Sequence, residues 1–324
     1  MMDVVTPPYR LNAWLVAAAF VVAALQLLII PAVLLPADGL AFGLAISAIL
    51  LLSLATPFIR ALMHEAIHGR LMRSRQWNDR MGRSLAICFA ISFDALRLGH
   101  MTHHRFPRHA LDRPDIVEPG KSRLAASVNF YLGLVGWIYL REFLSSMAML
   151  LPRRAINRIA EFALSQDPES AVLHGTLRRG LDRRIGRIRL DSIIVIMLYG
   201  IAFYLYGAWW PVLLAAIALR GLIVSLQDNV AHSDTPAILG APAHNTDTSR
   251  WARLFMLNSN LHGVHHDHPE LPWHALPIAF SRRGDQFTGG YFKLLMRQFY
   301  GPLPVDTVAQ PASNDAGYGR APAQ

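Results

Sequence analysis

The chain has 324 residues, of which 53% are hydrophobic and only 16% are charged. Soluble proteins carry close to a quarter charged residues, so long apolar runs in this composition indicate an integral membrane protein rather than a soluble globule. The net charge is +9 and the single cysteine is Cys88, which excludes an intrachain disulfide and any Cys-x-x-Cys zinc ribbon or rubredoxin-type iron site.

Two apolar segments near the amino terminus predict a transmembrane hairpin. The first runs from about Ala13 to Leu35, which is too long for the hydrophobic region of a signal peptide. The turn at 36–39 carries no Lys or Arg, and the second segment, Leu40 to Ile59, leads directly into Arg60. Since roughly 20 residues cross a bilayer, both segments are expected to span it.

Two further apolar stretches are predicted not to cross. Leu85 to Phe93 is too short to span and is expected to be a helix in the membrane interface or beneath the metal site. Val128 to Leu151 is longer, but Arg141 and Glu142 lie at its centre, where charge is costly in hydrocarbon. A crossing there would place the arginine-rich segment 152–189 outside, against the positive-inside rule. We therefore expect 128–151 to be interfacial or re-entrant.

The segments Asp191 to Tyr206 and Pro211 to Gln227 predict a second hairpin, whose turn again lacks Lys and Arg. Arg220 interrupts the last span, which leads to His232. With four spans, we expect both termini and the arginine-rich loops on the cytoplasmic side.

Histidine clusters at both ends of the chain favour one domain. From about Leu303 the chain is rich in Pro, Ala, Gly and Asn, a composition that does not support a packed core. We expect a membrane domain over residues 1–302 and a disordered tail over residues 303–324.

Three histidine clusters follow the predicted spans. The first reads H-x-x-x-H at 64–68, and the spacing H-x-x-H-H occurs at 100–104 and again at 262–266. Residues i, i+3 and i+4 of a helix share one face, so each cluster presents its imidazoles to one side. Together with His232, which lies four residues after Asp228, they give nine candidate metal ligands: His64, His68, His100, His103, His104, His232, His262, His265 and His266.

Nine imidazoles exceed the roughly four to six ligands of one metal ion and predict a two-metal site. Ligands of this type suit Zn, Cu, Fe or Ni, whereas hydrolytic zinc needs only three protein ligands and an open position. Two irons, which can activate O₂ to attack an unactivated C–H bond, are therefore favoured. The residues at 64–68 also match the H-E-x-x-H zinc protease motif, but a protease leaves the other histidines unexplained.

The clusters resemble the three histidine boxes of the membrane fatty acid desaturase and hydroxylase superfamily, most of all those of a bacterial fatty acid desaturase. Asp112-Arg113-Pro114-Asp115 after the second cluster resembles an acidic D-P-D trailer, and the run Asn260 to Pro277 resembles the third box with its proline–tryptophan tail. The resemblance implies an all-α integral membrane fold: four transmembrane helices in two hairpins plus interfacial helices, with a cytoplasmic histidine-rich cap that holds two irons.

The resemblance also implies that the box histidines are the iron ligands. His232 matches an extra histidine of acyl-CoA desaturases, which have a water-mediated asparagine four residues earlier. This chain has Asp228 at that position, so Asp228 is expected to be a direct ligand, a water-mediated one or an orienting group.

The activity implied is O₂-dependent desaturation of a fatty acyl chain. The sequence has no thiolate cluster, flavin motif or recognisable haem domain, so we expect a ferredoxin-like electron donor with its reductase, a lipid substrate and no nucleic acid. A carotenoid ketolase or hydroxylase is the alternative, because these enzymes share the run at 262–277; the insertion at 152–189 favours acyl chains. A non-catalytic metal-binding protein and an intramembrane metalloprotease are more distant alternatives.

Overall fold

The computed structural model describes residues 5–35, 39–163 and 168–308, which are mostly helical. They fall into two compact units. The membrane unit comprises residues 8–102 and 138–223, and the carboxy-terminal unit comprises residues 5–7, 103–137 and 224–308. The expectation of a single membrane domain stays a prediction.

The membrane unit consists of long helices. In chain order they are α1 (Tyr9–Ala24), continued through a π-helical turn (Leu25–Ile29) into α2 (Ile30–Val33), then α3 (Leu40–Leu52), α4 (Thr56–Ile67), α5 (Arg75–Cys88), α6 (Phe93–Arg105), α8 (Ile138–Ala148), α9 (Arg153–Ala163), α10 (Pro168–Tyr206) and α11 (Trp210–Val230). Helices α6 and α11 both continue into the carboxy-terminal unit.

Among the described residues, three helical segments are long and apolar enough to cross a membrane: Tyr9–Val33, Leu40–Ile67 and Ser170–Val230. The third reverses direction within its 61 residues. The Arg220 guanidinium lies 2.8 Å from the Tyr199 hydroxyl, although a straight helix would separate these residues by about 30 Å. The reversal falls at the 3₁₀ turn Gly207–Trp209, the turn expected from the sequence.

Helices α5 and α6 are bent by 102° relative to each other and could count as a fourth, broken span. The prediction of one helix over the apolar stretch 85–93 is therefore wrong, because this stretch crosses the bend. The reason is local: Ala90 has a φ of 59°, which ends helical geometry. Ile87 and Ala90 are buried in a core with Leu27 and Ile49 of the first two candidate spans.

The stretch 128–151, predicted to be interfacial or re-entrant, is broken in the middle. It falls in α7 (Arg123–Leu132), a π-helical turn (Gly133–Trp137) and α8. Gly136 leaves the helical conformation with a φ of 113°. Neither helix is among the segments long and apolar enough to cross a membrane, which agrees with the prediction.

The carboxy-terminal unit, which contains α7, has shorter elements. Its later helices are α12 (Arg250–Phe255), α13 (His262–Asp267), α14 (Leu276–Arg283) and α15 (Tyr291–Arg297). Two parallel strand pairs join distant segments: β1 (Ile116–Val117) with β4 (Leu303–Pro304), and β2 (Thr246–Asp247) with β3 (Gly289–Gly290). Residues 303–308, at the start of the predicted tail, thus form a strand and a 3₁₀ turn, and 309–324 lie outside the described residues.

Candidate metal centre

Four histidines of the carboxy-terminal unit direct their ring nitrogens at one another. They come from α6, from the turn after α11 and from α13, and they are His103, His232, His262 and His266. Their Nε2 atoms form a closed ring with separations of 3.1 Å (His103–His232), 3.1 Å (His232–His262), 3.1 Å (His262–His266) and 3.2 Å (His266–His103). All four ligand atoms lie within 4.8 Å of one another. We call this set the four-histidine group.

The chemistry of this ring fits a metal ion. The Nδ1 atom of His103 lies 2.6 Å from a carboxylate oxygen of Asp112, so Nδ1 carries the proton and Nε2 offers a lone pair. At metal–nitrogen distances of about 2.1–2.2 Å, two ligands at a right angle lie about 3.0–3.1 Å apart, and tetrahedral ligands about 3.4–3.6 Å apart. The observed spacing therefore fits right-angled coordination, which iron accepts, better than tetrahedral zinc.

Burial keeps several of these imidazoles neutral. It lowers the pKa of His232 and of His266 well below the ordinary value, and neighbouring histidines add to the effect. In the membrane unit, burial, followed by the charges of Arg70 and Arg97, lowers the pKa of His68 to about 4. Because only neutral imidazole binds a metal, these three side chains are in their binding form at neutral pH.

The first two boxes meet in the membrane unit. His64 lies in the last turn of α4 and His68 caps that helix. The Nε2 of His68 is 2.9 Å from the Nε2 of His100, which is carried by α6. One turn further along α6, in the carboxy-terminal unit, the Nε2 of His104 lies 3.0 Å from the Nε2 of His265.

Helix α13, which carries the third box, rests directly on the loop before β2. A Cβ atom on Gly263 would lie 2.6 Å from the carbonyl oxygen of Ala243, so only glycine allows this approach. The side-chain oxygen of Asn245 accepts a hydrogen bond from the Val264 N–H at 3.1 Å. These contacts fix where α13 begins.

The proline–tryptophan tail of the third box has a packing role. Trp273 is buried, and its carbonyl oxygen accepts a hydrogen bond from the Asn258 side chain at 3.1 Å. Asn258 and Leu257 both have a positive φ, which marks the tight turn before the box. Leu271 and Leu276, on either side of the tryptophan, share a buried core with Val264 of α13. The tail therefore helps to hold α13 in place by packing against it.

A buried ion pair holds the turn that follows His232. Arg108 and Asp115 are bonded through both guanidinium nitrogens, at 2.6 and 3.0 Å, and their side chains are 1% and 5% exposed. Arg108 also donates to the Thr235 carbonyl at 2.9 Å, and Asp115 accepts from the Asp234 N–H at 2.9 Å. Arg108 and Asp234 both have a φ near 60°, a strain of about 1–3 kcal/mol each that this clamp holds in place.

Asp228 is not in the four-histidine group. It lies near Tyr291, whose pKa is raised to about 12 by burial and then by the Asp228 charge. Helix α11 ends at Val230, so His232 lies in a turn and not on the helical face expected from its spacing to Asp228. The role of Asp228 toward a metal stays a prediction.

Sequence reasoning assigned no role to two polar groups of this centre. Asp112 was noted only as part of the acidic trailer. It lies nine residues after His103, and the turn between them brings the two side chains together. Arg108 gave no signal, because its partners in the turn after His232 are more than 100 residues away. His109, His174 and His244 lie outside the four-histidine group.

The apolar helices indicate a membrane protein, and the histidine groups could hold metal ions. The sequence profile of the fatty acid desaturase family matches residues 40–297, which is 258 of the 324 residues and includes all three boxes and His232. The chain therefore belongs to the fatty acid desaturase family. Among curated proteins, no sequence matches significantly.

Membership of this family implies an oxidoreductase. The family is typically di-iron, and the histidine groups could bind metal. This argues against the metalloprotease and non-catalytic interpretations.

Proposed function

We propose that the protein is an O₂-dependent fatty acyl desaturase that works with two iron ions. The observation that carries the proposal is the closed ring of four imidazole nitrogens in a chain that matches the fatty acid desaturase family. The spacing of these nitrogens is compatible with iron, family membership favours iron over other metals, and a hydrocarbon substrate agrees with candidate spans that lead into the box helices.

The ligands fall into two proposed sets. The four-histidine group holds one iron. For the second iron we propose the remaining predicted ligands, which are His64, His68, His100, His104 and His265. Two observations support the second set: His68 meets His100 within the membrane unit, and α6 carries His100 and His104 one turn apart.

When bound, the irons supply O₂ activation and removal of hydrogen from adjacent carbons. The chain's own residues hold and orient them. Asp112 keeps the proton of His103 on Nδ1, so that Nε2 faces the metal. The Arg108–Asp115 clamp keeps the turn after His232 in place. We propose an orienting or water-mediated role for Asp228 and assign no histidine as a general base.

We further propose that the centre and both termini face the cytoplasm of a bacterial inner membrane. The long arginine-rich loops support this orientation, since positive residues stay on the cytoplasmic side. Electrons would come from a ferredoxin-like donor and its reductase, because the sequence has no recognisable redox motif of its own beyond the histidine boxes.

A carotenoid ketolase or hydroxylase is the second candidate. Its main support was the proline–tryptophan tail of the third box. Trp273 is buried and its carbonyl oxygen accepts a hydrogen bond from Asn258 in the turn before the box, a packing role that does not depend on the substrate. The tail therefore does not favour carotenoids over acyl chains.

The test is expression in a host that makes both common fatty acids and carotenoids, followed by profiling of both lipid classes. We expect new double bonds in acyl chains. A ketone or hydroxyl group on a carotenoid ring, with fatty acids unchanged, would overturn the proposal. His265→Ala should abolish the product, and His274→Ala, in the same box region but in neither proposed ligand set, should retain it.

Metal analysis of the purified protein gives an independent check. We expect about two irons per chain, because one ion cannot use all nine imidazoles. A single zinc per chain would contradict the di-iron proposal.

A further inference from the structure

The bend between α5 and α6 turns the last two backbone carbonyls of this region away from the helix. Helix α5 ends at Cys88; backbone N–H groups of the bend satisfy the carbonyls of Leu85, Ala86 and Ile87, which leaves those of Cys88 and Phe89 to other groups. Residues of the bend are packed among the candidate spans, with Phe89 and Ile91 buried. In such surroundings each orphaned carbonyl is costly, so other groups must satisfy it.

Two tyrosines and an arginine from other helices satisfy these carbonyls. Tyr199 donates its hydroxyl to the Cys88 carbonyl at 2.9 Å, and Tyr139 donates to the Phe89 carbonyl at 2.6 Å. Arg220 donates to the Cys88 carbonyl at 3.2 Å and lies over the Phe89 ring at 4.3 Å. The carboxyl end of a helix carries partial negative charge, so a buried cation fits there without a carboxylate partner.

The depth of the bend follows from the partners of Arg220. Its second guanidinium nitrogen donates to the Gln26 side chain at 2.7 Å, and Gln26 donates to the Ile49 carbonyl at 2.8 Å. Gln26 lies seven residues from the nearer end of the segment Tyr9–Val33, and Ile49 lies nine residues from the start of Leu40–Ile67. At 1.5 Å per residue, the bend is about 10–13 Å inside both segments.

We infer that α5 and α6 form a re-entrant hairpin whose tip, residues 88–92, lies within the bilayer, and that Arg220 is a positioning residue that caps this tip. Only four residues join the two helices, so the position of the tip sets the position of α6. Helix α6 presents His100 two turns beyond its start. The depth of the tip does not depend on the proposed desaturase activity.

The only cysteine of the chain provides a probe at the tip. Cys88 is partly exposed on the protein surface, so in the full-length protein in phospholipid nanodiscs it should react with a bilayer-soluble maleimide. It should resist a charged, water-soluble maleimide. Two single-cysteine controls in a Cys88→Ser background calibrate the assay. Arg75→Cys, at the start of α5 where the side chain is 78% exposed, should react with both reagents. Leu44→Cys, on an exposed position of a candidate span, should react only with the bilayer-soluble reagent.

Labelling of Cys88 by the charged reagent at the rate of the Arg75→Cys control would overturn the re-entrant hairpin. Resistance to the charged reagent, together with reaction from the lipid phase, supports it. Neither result requires iron or activity. The re-entrant hairpin can therefore be refuted while the proposed function stands, and the proposed function can be refuted while the hairpin stands.

Substitution of the arginine tests its role. Arg220→Met removes the cation from the carbonyls and should raise labelling of Cys88 by the charged reagent about ten- to a hundredfold, because buried polar groups are left unsatisfied. Arg220→Lys should restore part of the protection. The matched control is Arg141→Met, which removes an exposed arginine from the apolar stretch of α8 and should change nothing.

A milder pair of variants covers the case in which Arg220→Met does not fold. Tyr139→Phe and Tyr199→Phe remove one hydroxyl each and keep the ring, and the double variant should raise labelling above either single variant. In folded Arg220→Met protein, iron content should fall, because α6 shifts with the tip. Unchanged labelling in all three tyrosine variants and in Arg220→Met would overturn the capping role.

Discussion

At the scale of single residues, the centre depends on side chains that are not themselves metal ligands. Asp112 selects the tautomer of His103, and Gly263 allows α13 to touch the loop before β2. Asp112 acts on the proton at Nδ1 of His103, and Gly263 acts through the absence of a Cβ atom. Both make sharp single-site predictions.

Replacing Asp112 by Asn should weaken metal binding. The amide no longer holds the His103 proton on Nδ1 by a charged hydrogen bond, and loss of such a partner usually costs about 10–100-fold in metal affinity or activity. The measurement is iron per chain after dialysis against a graded series of chelator concentrations. Asp247→Asn, an exposed aspartate on β2, is the control and should bind iron like the parent protein.

Replacing Gly263 by Ala should displace α13. The new Cβ would meet the Ala243 carbonyl at 2.6 Å, and backbone cannot move aside cheaply. We expect loss of iron and lower thermal stability. Gly99→Ala next to His100 is the matched control, because open space surrounds that Cβ position and alanine favours the helix. Equal behaviour of the two variants would argue against the close approach.

At the scale of elements, helices present the boxes and loops align them. Helix α6 carries the whole second box, but His232 lies in a turn with a strained backbone at Asp234. The Arg108–Asp115 pair connects that turn to the loop after α6 through three separate hydrogen bonds. The alignment of His232 with His103 therefore depends on one buried ion pair.

Replacing Asp115 by Asn leaves the Arg108 guanidinium buried without its counter-charge. Breaking a buried pair in this way costs about 3–5 kcal/mol. We expect a clear fall in thermal unfolding temperature and loss of the iron bound by the four-histidine group. The contrast is Arg153→Met, which breaks an ion pair whose side chains are 44% and 48% exposed and should cost at most about 1 kcal/mol.

At the scale of the whole molecule, the arrangement of spans determines which side of the membrane the histidines face. The second candidate span ends within the first box, at Ile67, and the third ends at Val230, two residues before His232. If the four-span topology is correct, the turn at Gly207–Trp209 lies on the far side of the membrane from the metal centre. The absence of Lys and Arg from that turn favours this orientation.

Reporter fusions test this topology. Alkaline phosphatase inserted at the turn Gly207–Trp209 should be active, because that turn is predicted to be periplasmic. Green fluorescent protein fused to the carboxyl terminus should fluoresce, because that end is predicted to be cytoplasmic. The opposite pair of results would reverse the proposed orientation.

The sequence by itself determined the class of the protein and the members of each histidine cluster. Apolar length identifies spans, and spacing of three and four residues places imidazoles on one helical face, because both depend on contacts within a few residues. This is why the helical hairpin around residues 207–210 and the nine candidate ligands could be predicted before the fold was known.

Only the tertiary structure decided how the clusters combine and what supports them. His103 meets His232 across 129 residues, and Arg220 meets the end of α5 across 132. Such partners leave no periodic pattern in the chain. They are selected by the requirement that every buried lone pair, carbonyl and charge find a partner, a condition that applies to the folded molecule as a whole and not to any local stretch of its sequence.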